Sequence, residues 1–213
     1  MSNLVAVLTG DLIGSTEAGP DRTERAMQLL QAAAKDIGAA ETRFTRYRGD
    51  GWQILLREPG KFLGVAVFLN ALLKGDTTAN LQTRIAIGLG PFDSLGPSGL
   101  AAARGTAFKA SGHALDNMDA TDQTLALAGT STDDIQRSLI AFVEDRMAGW
   151  SREQAEVVAL KLAPASTMTQ GDIAARLGIT RQAVGARLQS AGFDLILRAC
   201  DALQNHPVFQ PAT

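Results

Sequence analysis

The chain has 213 residues, with 20 Lys+Arg against 22 Asp+Glu, two His and one Cys, for a formal net charge of −2. That length allows one domain or two, the 46% hydrophobic and 20% charged content excludes wholesale disorder, and a single cysteine excludes an internal disulfide. No apolar run reaches a membrane-spanning length and no basic leader precedes the apolar start, so cytoplasm is the expected compartment and no membrane partner is expected. The near-neutral charge speaks against coating nucleic acid by bulk electrostatics but leaves room for a local DNA-reading element. In chain order, Leu4-Val5-Ala6-Val7-Leu8 reads as a short buried strand ended by Gly10. Pro20 to Gly38 places Ala26, Leu29, Leu30, Ala33, Ala34 and Ile37 on a 3.6-residue period, the mark of an amphipathic helix. Thr42 to Tyr47 and Trp52 to Arg57 are strand-like and joined through Arg48-Gly49-Asp50-Gly51, a hairpin signal. Gly60 to Leu73 is helical, and Leu81 to Gly90 is again strand-like.

This β-α-β-β-α-β order predicts an α+β protein, with a ferredoxin-like antiparallel sheet over residues 1–130. Phe92 to Leu100 reads as a loop, Arg104 to Asn117 as a further helix and Thr124 to Ala128 as a short strand. A connector helix is expected within 131–150, with Trp150 as an interdomain contact. A small all-α domain follows at 151–205, and 206–213 reads as a loose tail. The first 150 residues carry a net charge of −3 and the last 63 a net charge of +1.

The sharpest pattern is Thr169-Gln-Gly-Asp-Ile-Ala-Ala-Arg-Leu-Gly178 followed by Ile179-Thr-Arg-Gln-Ala-Val-Gly-Ala-Arg-Leu188. Ile173, Ala174 and Leu177 share a face of the first helix, Gly178 supplies a turn, and Thr180 can cap the second. This reads as a helix-turn-helix whose recognition helix is Thr180 to Gln189, supported by Ser151 to Leu162. Thr180, Arg181 and Gln182 suit base edges and phosphates, and Arg176 and Arg187 could anchor phosphates. The segment resembles the last region of sigma factors and other helix-turn-helix regulators. The blander alternative is a small helical bundle used for packing or dimerisation.

In the N-terminal part, Asp11 and Asp50 stand at the ends of neighbouring strand candidates, and paired carboxylates suit a hard cation such as Mg²⁺. Ile13, Gly14, Ser15 and Thr16 offer backbone N–H groups at a bend, suited to phosphate. Taken alone, each Asp is more often a turn residue than a metal ligand. Together the strand-ending Asp11, the Ile13-Gly14-Ser15-Thr16 stretch, the Gly49-Asp50-Gly51 hairpin and the later RIAIGLG strand resemble the class III nucleotidyl cyclase domain, and the SatD-like bacterial proteins in particular. The resemblance implies a homodimer, a Mg²⁺ site at Asp11 and Asp50, and a nucleotide ligand contacted by Arg46 and Lys109. It also shows departures. The positions of the family's Asn and Arg, which orient ribose and stabilise phosphoryl charge, carry Lys109 and His113, and a base-reading Asp is replaced by Ala102. An imidazole does not reproduce a bidentate guanidinium, so efficient cyclisation is not expected. The combined expectation is a DNA-binding transcriptional regulator on double-stranded DNA, with a degenerate cyclase-like domain that dimerises or senses a nucleotide effector. The alternative is an active, metal-dependent nucleotidyl cyclase regulated by its C-terminal helices.

Overall fold

Strand β1 (Leu4–Ile13) is the centre of the sheet, paired antiparallel with β3 (Gly51–Leu56) on one edge and β4 (Gln82–Ser94) on the other. The computed structural model describes residues 4–38, 43–47, 49–94, 100, 103–118, 121–130, 132–164 and 166–210. β1 runs through Gly10 instead of ending there. A Cβ at Gly10 would lie 2.5 Å from the Trp52 ring, so the glycine lets the indole cross the strand without breaking the ladder. β2 (Arg43–Tyr47) forms the expected hairpin with β3, giving the order β2-β3-β1-β4-β5, where β5 is Arg104–Gly105. β6 (Leu125–Gly129) lies parallel to β4 along Ile85–Leu89. The chain is thus a mixed α+β protein with a largely antiparallel sheet. The expected loop from Phe92 begins instead as the far end of β4, and residues 95–99 lie outside the described residues.

Helix α1 (Ser15–Ala18) is a single turn, and α2 (Pro20–Gly38) has the bounds its periodicity predicts. A 3₁₀ turn at Pro59–Lys61 leads into α3 (Phe62–Gly75). The α3 sequence FLGVAVFLNALLKG is apolar nearly all round, so it must be covered on every side. The sheet and α2 cover one side, and two of the C-terminal helices, α6 (Arg152–Leu162) and α9 (Phe193–Gln204), cover the other. Helix α4 (Thr106–Met118) packs through Ala107 on the opposite face of the sheet, over Val5, Val7, Leu55 and Phe92. There the hydroxyls of Thr9 and Ser111 hydrogen bond at 2.7 Å, and Gln53 donates to Thr9.

Helix α5 (Asp134–Ala148) starts with a capping box between Asp133 and Gln136. It is more than a connector, because Glu144 accepts the N–H groups of Thr124 and Leu125 at the start of β6. Trp150 is buried and donates from Nε1 to the Ala191 carbonyl at 2.9 Å. Ser151 and Thr169 head capping boxes for α6 and α7 (Gln170–Leu177), and Thr180 caps α8 (Arg181–Ser190). Gly178 between α7 and α8 has φ 65°, a left-handed conformation that a glycine adopts without the Cβ penalty.

Buried residues of these helices (Val157, Ile173, Val184, Phe193, Leu203) form one continuous cluster with the α2–α3 side of the sheet (Leu8, Trp52, Phe68, Ile85). The expected loose tail is docked as far as Phe209. That ring packs edge-on against Phe62 with centroids 6.1 Å apart, and His206 lies 3.2 Å from Asp133. The half-buried Phe209 ring and the His206–Asp133 contact hold the segment; residues 211–213 lie outside the described residues. Among the described residues, no helix is long and apolar enough to cross a membrane.

Candidate functional site

Asp11 lies near the end of β1 and Asp50 in the turn before β3, and each is already engaged. Asp11 stands opposite Arg84 in the β1–β4 register, and Arg84 grips it with Nε on Oδ1 at 2.9 Å and Nη2 on Oδ2 at 2.5 Å. Both groups are about one-quarter exposed, so this is a half-buried, bidentate pair of the stronger kind. The Asp11 carbonyl accepts from Thr83 at 2.6 Å, and Thr83 accepts from the Trp52 indole at 3.0 Å, so the strand is fixed beside the carboxylate. Asp50 accepts from the Ser15 hydroxyl at 2.5 Å. With a guanidinium on both oxygens of Asp11, the donor set as it stands does not fit Mg²⁺, which would have to displace Arg84.

The bend after β1 forms as the sequence suggests. Ile13 ends the strand, Gly14 is left-handed, and Ser15 and Thr16 open α1. Ser15, Thr16, Arg46, Gly49 and Asp50 line an open cleft of about 730 Å³ together with Asp21 and Glu24. Arg46 is not free in it: it binds Glu24 at 2.6 Å and the Gly49 carbonyl at 2.7 Å. The hydrogen bond from Arg46, followed by its charge, holds the Glu24 carboxyl below the usual carboxylate range. Lys109 and His113 are exposed on α4 at i, i+4 spacing, on an element outside this cleft. The nucleotide residues expected from the sequence therefore divide into a cleft group and an α4 group; Ala102 lies outside the described residues.

In the C-terminal helices, α8 buries Val184 and Leu188 and exposes Thr180, Arg181, Gln182, Ala186 and Gln189. Thr180 Oγ1 accepts from the Ala183 N–H at 3.1 Å, the cap expected of it. The helix contains no acidic residue. Arg176, at the end of α7, is exposed. Arg187 is turned inward, 3.9 Å from Glu156, which also faces Arg152 at 3.8 Å. Sequence reasoning missed Arg84, Glu24 and Glu156, the partners of three singled-out residues. The antiparallel β1–β4 pairing implied by the strand order could have pointed to Arg84, whereas the other two meet only through helix packing.

Comparison with protein-family models, with curated proteins and with solved structures gives no match to this chain.

Proposed function

We propose that this protein is a sequence-reading DNA-binding regulator whose C-terminal helices are a helix-turn-helix. Its sheet domain, in this reading, is a ferredoxin-like, cyclase-type body used for dimerisation or sensing. The observation that carries the reading is α8. It is a capped ten-residue helix without an acid, and its outer face carries Arg181 and Gln182 ahead of the small Ala186. A slim outer face without acidic side chains lets a helix approach the phosphate-flanked major groove without repulsion, and Arg and Gln read guanine and adenine edges there. The left-handed Gly178 turn supports the reading, because it sets α7 behind α8 where exposed Arg176 would meet phosphate. Arg187, held by Glu156, would position α8 against α6. For the body, the strand order β2-β3-β1-β4 with α2 and α3 on one side supports the ferredoxin-like assignment. The Arg84 clamp on Asp11 favours a sensing or scaffolding body over an active cyclase. A nucleotide effector and a homodimer remain part of the proposal, the dimer supplying the two-fold symmetry that a palindromic operator mirrors.

Selection from a random duplex library, followed by gel shift, tests it. A roughly palindromic site is expected, with half-sites about 10 base pairs apart or a multiple of that. Arg181→Ala is expected to weaken the selected site about 10- to 100-fold and relax one base position. Enrichment of no sequence, or identical selectivity with Arg181→Ala, overturns the reading.

A further inference from the structure

The junction between the sheet body and the C-terminal helices carries a half-open pocket of about 310 Å³, at the low end of the roughly 300–1,000 Å³ of small-ligand pockets. Its apolar lining comes from Ile37, Val65, Phe68, Leu162 and Pro164, with the Cys200 thiol in the wall. Burial, reinforced by the neighbouring Asp201 charge, pushes that thiol up to about 12, so it contributes a polarisable surface and no nucleophile.

Two observations define what such a cavity would hold. The first is its electrostatics. Asp36 and Ile37 lie in the last turn of α2, Leu162 ends α6 and Gln204 ends α9, so three helix C-termini meet at one cavity. Each carries the negative end of a helix dipole. The Asp36 carboxylate adds a full negative charge at the rim and has no ion-pair partner among the described residues. The opposing charges are the start of α3, Lys61 in the lining, which is held by Glu58 at 2.7 Å, and the last-turn lysines of α2 and α6; of these, Lys35 is exposed and Lys161 donates to the Met168 carbonyl at 2.8 Å, and neither lines the cavity. Phe68 supplies an aromatic ring of the kind that attracts cations. The second observation is Gly64. It lies inside α3, where glycine loosens a helix, yet a Cβ there would have as its nearest neighbour only the Cys200 sulfur at 3.9 Å. Packing therefore does not demand a glycine, and its effect is to keep the cavity open.

The geometry points to a binding site for a small organic cation, a protonated amine on an apolar body, at this junction. The amine faces Asp36 and the three helix ends, and the apolar body fills the space beside Gly64, Phe68 and Cys200. Because its walls come from α2 and α3 on one side and α6 and α9 on the other, occupancy ties the body to the C-terminal helices. The assignment stands independently of DNA binding.

Isothermal titration of the full chain with 2-phenylethylamine, 2-phenylethanol and 3-phenylpropionate tests it, these being a cation, a neutral compound and an anion of similar shape. The amine is expected to bind at least about tenfold more tightly than the other two. Asp36→Asn, at an exposed position, should remove that advantage while the alcohol binds as before. Gly64→Leu should abolish binding of all three. Equal or tighter binding of the anion, amine binding unchanged in Gly64→Leu, or no binding by the unsubstituted chain overturns the proposal. No DNA enters the experiment, so its failure leaves the DNA reading standing, and a failed operator selection leaves this site standing.

Discussion

Two glycines on the same helix should respond oppositely to the same substitution, and the difference measures how closely the C-terminal helices are docked. A Cβ at Gly75, the last residue of α3, would sit 2.7 Å from both Cα and N of Glu156 in α6. Both neighbours are backbone atoms, so Gly75→Ala must move α6 outward by about 0.7–1 Å to reach ordinary contact. A gap of that size forfeits a quarter to a half of each pairwise dispersion attraction. Overpacking of this kind costs about 1–3 kcal/mol. Against it stands a helix-propensity gain of at most about 1 kcal/mol, and less than that at a helix end. A net loss of about 1–2 kcal/mol follows. In a protein of this size it lowers Tm by about 2–8 °C. Gly64→Ala is the control: with its nearest neighbour at 3.9 Å it keeps the propensity gain and should be neutral or stabilising by up to about 1 kcal/mol. Thermal and urea unfolding, followed by far-UV circular dichroism, compare the two. If Gly75→Ala is as harmless as Gly64→Ala, α3 and α6 are not in backbone contact and the argument for a shared core fails.

Asp76 provides a pH test. Burial alone would raise its pKa, but the Arg25 guanidinium and the N–H groups of Ala79 and Thr78 together outweigh burial and hold it below the usual carboxylate value. A depressed carboxylate stabilises the fold above its unfolded pKa and loses that contribution as pH falls through the folded one. Asp76→Asn should therefore cost about 1 kcal/mol at neutral pH. The difference from the unsubstituted protein should close as pH is lowered through the carboxylate range; a gap that widens on acidification refutes the sign. Cys200, the sole thiol, is expected to resist Ellman's reagent at pH 8 until denaturant unfolds the chain, and rapid native labelling would contradict its burial. Arg176→Ala should weaken DNA binding evenly across sequences and reduce the salt slope by about one, unlike the base-selective loss at Arg181.

Much of the architecture was legible because periodicity and caps agree. α2 has the bounds that Ala26, Leu30 and Ala33 predict, and Thr180 caps α8 as its position before the helix suggests. Gly10 reads as a breaker in the sequence, whereas the Trp52 ring and the Arg84 carbonyl pressing against it explain a glycine inside a continuing strand. The tail was misjudged because two prolines obscure the single anchoring ring of Phe209. For the candidate sites, residue types and spacing pointed to the surfaces, but not to the ion pairs already present there. Asp11, Arg46 and Arg187 each meet an opposite charge from 22 to 73 positions away, a distance in sequence that no local pattern encodes.

The all-round apolar character of α3 has a consequence for how the chain must be made. By the time a ribosome has released β4, the sheet and α2 can shelter only one side of that helix. The other side, including Val65 and Phe68, which share a pocket wall with Leu162 and Cys200, waits for residues 152–204. A chain stopped at residue 150 would carry an oily stripe along its surface and should aggregate or recruit chaperones. The DNA-reading segment proposed here is then no portable module: the body needs it as a coat whether or not an operator is bound.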